Sequence, residues 1–309
     1  MDATTFGVLD AVTLTRANIV SASTSAGALP EDGTAAWSAG ETCAAGDLRH
    51  RVSTGVVYVR VTPGAGSNPP EADPINWKPL RPTNKMAPFD LYRSTAAIGN
   101  EQLSYVLRPQ DIVSEVWLGG VEATSATITV TDGAGGATVF GPHVIALDSQ
   151  GVNDWQAFFL APVRFSESAY VTGIPMALDP VINITLSNPG GVARLGAVQM
   201  GRFIGLGMTE YGAEFSVVPY SYRKFAEDGT YTYVKRPSGG EISTPVFIEP
   251  ANAALVRDIL LRYESVPALW IGHSGAQYEP LRGFGVFEGS LRYDNFGRCT
   301  LTGRIQSMI

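Results

Sequence analysis

The sequence predicts a mainly β chain with a small β module, a β-sandwich, and a C-terminal α+β domain that lays one helix on an antiparallel sheet. Three observations carry this. The 34 glycines and 20 prolines are scattered between short apolar runs, as turns are between strands. Period-two alternation recurs, most clearly where Thr127, Thr129 and Thr131 alternate with Ile128 and Val130 to give one wet and one dry face. Helical spacing of apolar residues is convincing in a single place, at Leu255, Val256, Ile259, Leu260 and Tyr263.

A chain of 309 residues exceeds one ordinary core and divides into parts. Residues 1–30 read as an extended arm, with a strand over Val12–Val20 followed by a small, polar stretch to Pro30. An arm of this composition buries little of itself and is expected to lie against another subunit. Residues 31–82 read as the small module. Its strand Val56–Val61 precedes a loop, Gly64–Pro70, whose consecutive prolines cannot donate to a ladder. Residues 83–205 carry the strands Leu103–Leu107, Ile112–Leu118, Ala126–Thr131, Trp155–Leu160, Val181–Leu186 and Leu195–Met200. The segment Asp132–Gly136 is a turn that needs positive φ, and strands at this spacing favour a β-sandwich. Residues 206–309 hold the helix, placed near 251–264. Pro250 suits its first turn, Asp258 and Arg262 are spaced to pair, and Pro267 blocks continuation. Around it the strands are Thr230–Lys235, Pro245–Ile248, Ala268–Ile271, Gly285–Tyr293 and Cys299–Ile305.

Composition excludes several functions. A net charge of −7 and a pI near 5.0 oppose nucleic-acid binding, which Lys and Arg drive by neutralising phosphates. Arg49-His50-Arg51 and Lys235-Arg236 read as solvated strand ends. The N-terminus lacks the basic and apolar regions of a signal peptide, and no apolar run approaches the ~20 residues that span a bilayer. Cys43 and Cys299, the only cysteines, belong to no metal-ligand set and are expected to be reduced, partly buried and in different domains.

No catalytic constellation is legible. His50, His143 and His273 have no zinc spacing. Gly272-His-Ser-Gly-Ala276 approaches a nucleophile elbow, but Ala276 replaces the second glycine and the segment reads as a turn. The acid pairs Glu31-Asp32, Glu71/Asp73 and Glu227-Asp228 sit beside Gly or Pro and read as solvated turn residues rather than a glycosidase pair. No nucleotide loop is present. No cofactor is expected; a structural calcium at Asp132 or Asp148 would carry no short signature.

One stretch is more specific. Trp37, the Gly46-Asp47 turn, Tyr58 on a short strand, the loop Asn68-Pro-Pro-Glu-Ala-Asp73, and Trp77 follow one another in order. This order resembles small all-β carbohydrate-binding modules of the chitin-binding type, which occur on secreted glycosidases and in tail proteins of bacteriophages. In chitin-binding members an aromatic pair after the tyrosine strand makes the sugar platform; here Val61-Thr62-Pro63 stands there. Trp37, Tyr58 and Trp77 are therefore the candidate glycan-binding residues but read better as a miniature core. The strand order after residue 90 is similar to jelly-roll domains of glycan-binding proteins, a likeness of architecture alone.

The first ~95 residues also resemble a group of phage tail proteins. These have an N-terminal segment with Asn-Ile-Val (here Asn18-Ile-Val20), such a module, and a connector matched by Asn84-Lys-Met-Ala-Pro-Phe-Asp90. The resemblance implies a non-catalytic minor tail protein, a structural component of the virion at the tail tip, baseplate or fibre-attachment region. Its partners would be other tail proteins and copies of itself in a symmetric homo-oligomer, with host cell-surface polysaccharide as a contact during host attachment. It would be assembled in the host cytoplasm without membrane insertion. The alternatives are a soluble lectin-like glycan-binding protein and a polysaccharide depolymerase.

Overall fold

The structure, a computed structural model, describes residues 5–90, 92, 94–148, 155, 159, 165–225, 229–236, 238–273, 275–295 and 297–307. It is mainly β, with several antiparallel sheets and one α-helix described along its whole length. The chain forms two compact units, Met1–Ala11 with Met200–Ile309, and Val12–Gln199.

In the first unit the antiparallel sheet expected from sequence closes, through six of its strands, into a barrel. Their order is Ala197–Thr209, Thr5–Ala11, Ala268–Ile271, Arg282–Asn295, Arg298–Ser307 and Ser238–Ile248. The last returns to the first through the pairs Met208↔Phe247 and Thr209↔Val246. Closure removes two sheet edges and gathers the inward residues into one core. There the Trp270 ring stacks on Phe287 at 4.6 Å and on Phe6 at 6.1 Å. Phe287 needs bare neighbours: a Cβ at Gly289 or Gly303 would run into its ring. Glu214–Pro219 extends from the far end of Ser238–Ile248 as an edge strand.

The N-terminal residues are not a free arm. Thr5–Ala11 pairs along its length with Ala197–Thr209 and at Gly7 and Val8 with Ala268–Ile271, burying Phe6, Val8 and Leu9 completely. Gly7 disguises this strand in the sequence, and it is required because the Ile204 carbonyl leaves no room for a Cβ. The strand expected over Val12–Val20 is instead a 3₁₀ turn, Arg16–Asn18, followed by the strand Ile19–Thr24. Asn18 makes the turn: its Oδ1 accepts from the Thr15 amide at 2.8 Å and the Thr15 hydroxyl at 2.9 Å. Its Nδ2 donates to the Arg108 carbonyl at 3.1 Å, which explains the asparagine of Asn18-Ile-Val20.

Helix α1, Ala253–Arg262, lies inside the expected 251–264, behind a 3₁₀ turn opened by Pro250. Its buried stripe is Ala253, Val256 and Ile259, continued by Tyr263, with Leu260 partly buried. Leu255 falls outside it and is exposed, because a 100° step from Val256 carries it off the barrel face. Asp258 and Arg262 do not pair with each other. Asp258 accepts from Arg257 at 2.8 Å, while Arg262 reaches Asp10 at 3.6 Å, alongside the Tyr263 hydroxyl that donates to Asp10 at 2.7 Å. The barrel carboxylate is simply the better-placed partner.

The second unit holds a six-stranded antiparallel sheet in the order Thr138–Ala146, Ser125–Asp132, Pro180–Leu195, Ala97–Leu107, Ile19–Thr24 and Gly27–Ala28. Its dry face is set by the register: Leu103, Tyr105 and Leu107 stand opposite Leu186, Ile184 and Ile182, which in turn face Ala126, Ile128 and Val130. A second pair, Glu115–Gly119 with Ser168–Val171, buries Val116, Trp117, Leu118, Ala169 and Val171. The turn after Asp132 uses positive φ at Gly133 and Gly135, as its sequence demands. Of the strand expected at 155–160 only Trp155 and Phe159 are described, and both are helical rather than extended. The small module is a four-stranded sheet of Ala35–Ala36, Leu48–Arg51, Val56–Arg60 and Trp77–Pro82. Thr42–Cys43 pairs beside it with Gly64–Ala65.

Candidate functional site

The module aromatics come together, but as a core. Trp77 and Tyr58 are 2 % and 6 % exposed and pack with Cys43, while Trp37 is half-buried against them. Their faces are already occupied. The Arg51 guanidinium lies 4.7 Å from the Trp37 ring centre and the Arg60 guanidinium 5.0 Å from that of Trp77, both cation–π contacts. Arg60 is itself buried and is fixed by donating to the Thr62 carbonyl at 2.5 Å and the Gly64 carbonyl at 3.3 Å. Val61, just after the Tyr58 strand, is exposed.

The pair Glu31-Asp32 is not a solvated turn. Asp32, 2 % exposed, accepts from Arg81 Nη1 at 2.7 Å and Nη2 at 3.0 Å, from the Thr34 amide at 2.9 Å and from the Asn84 amide at 3.1 Å. Glu31 accepts from the Thr83 hydroxyl at 3.0 Å and pairs with Arg16 at 3.4 Å and Lys85 at 3.6 Å. These carboxylates thus clamp the chain entering the module to the chain leaving it. Burial raises the Asp32 carboxyl, but the Arg81 guanidinium and the Thr34 amide outweigh it and hold the group at about 2. Sequence reading missed the clamp because its cationic partners lie about fifty residues on.

The connector motif is explained in the same region. Asn84 mimics a strand, accepting from the Ile98 amide at 2.8 Å and donating to the Ile98 carbonyl at 3.1 Å. Phe89 packs edge-on to Tyr105 at 5.6 Å, the Tyr105 hydroxyl donates to the Lys85 carbonyl at 3.1 Å, and Asp90 accepts from the Tyr92 amide at 2.8 Å. A cavity of about 840 Å³ lies beside this clamp, but the Asp32 and Arg81 charges that line it are spent on each other.

The remaining candidates are dispersed. Glu71 pairs with Arg51 at 3.0 Å, and Asp73 accepts from Asn76 at 2.9 Å. Glu227 and Asp228 lie outside the described residues, as does Ser274 of the elbow-like segment. His50 is buried with its Nδ1 2.9 Å from the Thr34 carbonyl, and His143 packs against Phe140. Asp132 accepts from the Asp179 amide at 3.0 Å, and Asp148 is exposed. No group of three or more His, Cys, Asp and Glu that could hold a metal occurs among the described residues. Cys43 and Cys299 are buried free thiols, one in each unit.

The barrel unit carries a second cavity, of about 820 Å³, at the seam where Met208 meets Phe247. Its walls are the turn Glu210–Ala213 and the 3₁₀ segment Ala276–Leu281. Tyr211 is fully exposed there, Met208 half exposed, and the Tyr278 ring packs tilted against His273 with ring centres 3.9 Å apart. The loop is anchored by the Thr209 hydroxyl, which donates to the Gly272 carbonyl, and by the Gly272 amide, which donates to the Leu281 carbonyl at 2.8 Å. At the rim Arg298 donates to both Glu210 oxygens, at 2.5 and 2.8 Å, and lies over the Phe247 ring. Only the unusual Gly272–Ala276 segment hinted at this site in the sequence; Phe247 and the turn Glu210–Ala213 come to it from about 25 to about 60 residues away.

Beyond the barrel, Tyr222–Phe225 and Tyr231–Val234 form a hairpin that pairs only with itself among the described residues. Tyr222, Phe225, Tyr231 and Tyr233 are all exposed, as is Tyr220 just before it. Arg223 lies over Tyr231 and Arg236 over Tyr222. No helix among the described residues is long and apolar enough to cross a membrane. The sequence matches no protein-family model and no curated protein.

Proposed function

We propose that this chain is a non-catalytic structural component of a phage virion tail, acting at the tail tip, baseplate or fibre-attachment region and built into it through copies of itself and neighbouring tail proteins. The hairpin Tyr222–Val234 is the observation that carries the reading. A two-stranded hairpin alone is at best marginally stable in water, yet this one displays four aromatic side chains to solvent. Exposed apolar patches of this kind, mixed with arginine, mark surfaces that another protein covers. Its Arg223, Lys224, Lys235 and Arg236 stand on a chain of net charge −7, so an acidic second copy is its natural complement. The edge strand Glu214–Pro219, with Phe215 and Val217 exposed, adds a pairing edge on the same unit.

The module and connector support the same reading. The module spends its aromatics on its own core, and the connector residues Asn84, Phe89 and Asp90 have structural roles that fit a rigid assembly part. The jelly-roll-like reading of 83–205 belongs with it, since the four strands that this segment gives to the main sheet pair antiparallel. Light scattering on the purified chain tests the proposal. Self-association is expected, and replacing Tyr222 and Tyr231 by serine should abolish it while changing monomer stability by less than ~0.5 kcal/mol, as for solvent-facing positions. A chain that is monomeric at every concentration, or that releases reducing ends from host polysaccharide, overturns the proposal.

A further inference from the structure

We propose that the cavity at the barrel seam is a binding site for a neutral, hydroxyl-rich ligand, a segment of uncharged glycan. Its volume of about 820 Å³ is within the range of small-ligand sites, which combine apolar walls with a few fixed polar groups. The walls here are aromatic. Tyr211 is fully exposed and Tyr278 partly so, and the Tyr278 ring, held by its tilted contact with His273, offers a face on which the C–H side of a sugar ring can lie. The polar element is the Glu210–Arg298 pair, whose side chains remain 30 % and 46 % exposed and so can take further bonds.

Charge selects the ligand class. Arg298 at the rim neutralises Glu210, and no Lys or Arg is among the described residues that line the cavity, so an anionic ligand would find no free counter-charge there. A purely apolar ligand would strip water from an ion pair and give nothing back. Adjacent hydroxyls avoid both costs, because each donates to the carboxylate while accepting from the guanidinium. The Gly275 amide donates to His273 Nδ1 at 3.0 Å, which leaves Nε2 as the ring nitrogen that can donate to an oxygen. The module, in contrast, has no free aromatic face. The inference rests on the tail reading only for the origin of the glycan, a host surface polysaccharide; the site itself stands on the barrel geometry.

The test is calorimetric titration of the full chain with the neutral tetrasaccharides of glucose, galactose, mannose and N-acetylglucosamine, with polygalacturonate and a long-chain fatty acid as comparisons. Binding of at least one neutral tetrasaccharide is expected. Tyr278→Ala and Glu210→Gln should each weaken it at least ~10-fold, about 1.4 kcal/mol, while Tyr278→Phe and Trp37→Ala leave it within ~2-fold of the parent, about 0.4 kcal/mol. Retained binding in Tyr278→Phe separates loss of the ring from loss of the fold. Binding to none of the four, preference for the polyanion or the fatty acid, or loss through Trp37→Ala overturns the assignment. An oligomer that binds no sugar sinks the site and spares the assembly reading; a monomer that binds sugar does the reverse.

Discussion

Replacing Asp32 by asparagine tests the clamp at the base of the module. The Asp32 side chain is 2 % exposed and accepts four hydrogen bonds, two of them from the Arg81 guanidinium. Its carboxyl falls from 3.8 to about 2 on folding. That difference corresponds to about 2.4 kcal/mol. Arg81 is 43 % exposed, however, and solvent screening brings the expected contribution to about 1–2 kcal/mol. A depressed carboxyl stabilises the fold fully above the unfolded value of 3.8, and the contribution fades as pH drops toward 2. Asparagine keeps the shape but turns an N–H₂ toward donors already in place. Urea unfolding followed by fluorescence of Trp37 and Trp77 should therefore show Asp32→Asn less stable by about 1–2 kcal/mol at pH 7. The gap should narrow steadily below pH 4 as the parent becomes protonated. A gap that is absent at pH 7, or that stays constant down to pH 2, would refute the clamp.

Further perturbations probe the barrel. Thr244 is fully buried and its hydroxyl has no partner among the described residues, so Thr244→Val should stabilise the first unit by ~1 kcal/mol, read as a rise in the thermal midpoint. Gly303→Ala puts a methyl into the Phe287 ring and beside the Glu288 carbonyl, and should cost ~1–3 kcal/mol in denaturant unfolding. An unchanged midpoint would mean that the stacked Phe287–Trp270 core yields more readily than its packing implies. Asn84→Ala removes both bonds to the Ile98 backbone and should cost ~1–2 kcal/mol, with faster amide exchange at Ile98 as the local readout.

The sequence by itself determined what depends on neighbouring residues. Alternation located the strands around Leu103, Ile128 and Ile184, helical spacing located α1 within a few residues, and Gly133 and Gly135 marked their turn. The absent aromatic pair after Tyr58 already indicated that Trp37, Tyr58 and Trp77 form a core. Such features follow from periodicity and local backbone preference, which a short window of residues fixes.

Tertiary structure alone decided the features that join distant segments. Thr5–Ala11 became a barrel strand because Ala197–Thr209 and Ala268–Ile271 offered it two edges, where its own residues suggested an arm. Glu31 and Asp32 became buried ions because Arg81, Thr83 and Lys85 return beside them. Barrel closure at Met208 and Phe247 brought Glu210, Phe247 and Tyr278 around one cavity, with Arg298 bonded to Glu210. Register, closure and ion pairing are set by which surfaces meet once the chain has folded back on itself. No local pattern encodes that meeting, because its energy comes from burial shared between segments up to about 250 residues apart, as in the bond between Asp10 and Tyr263.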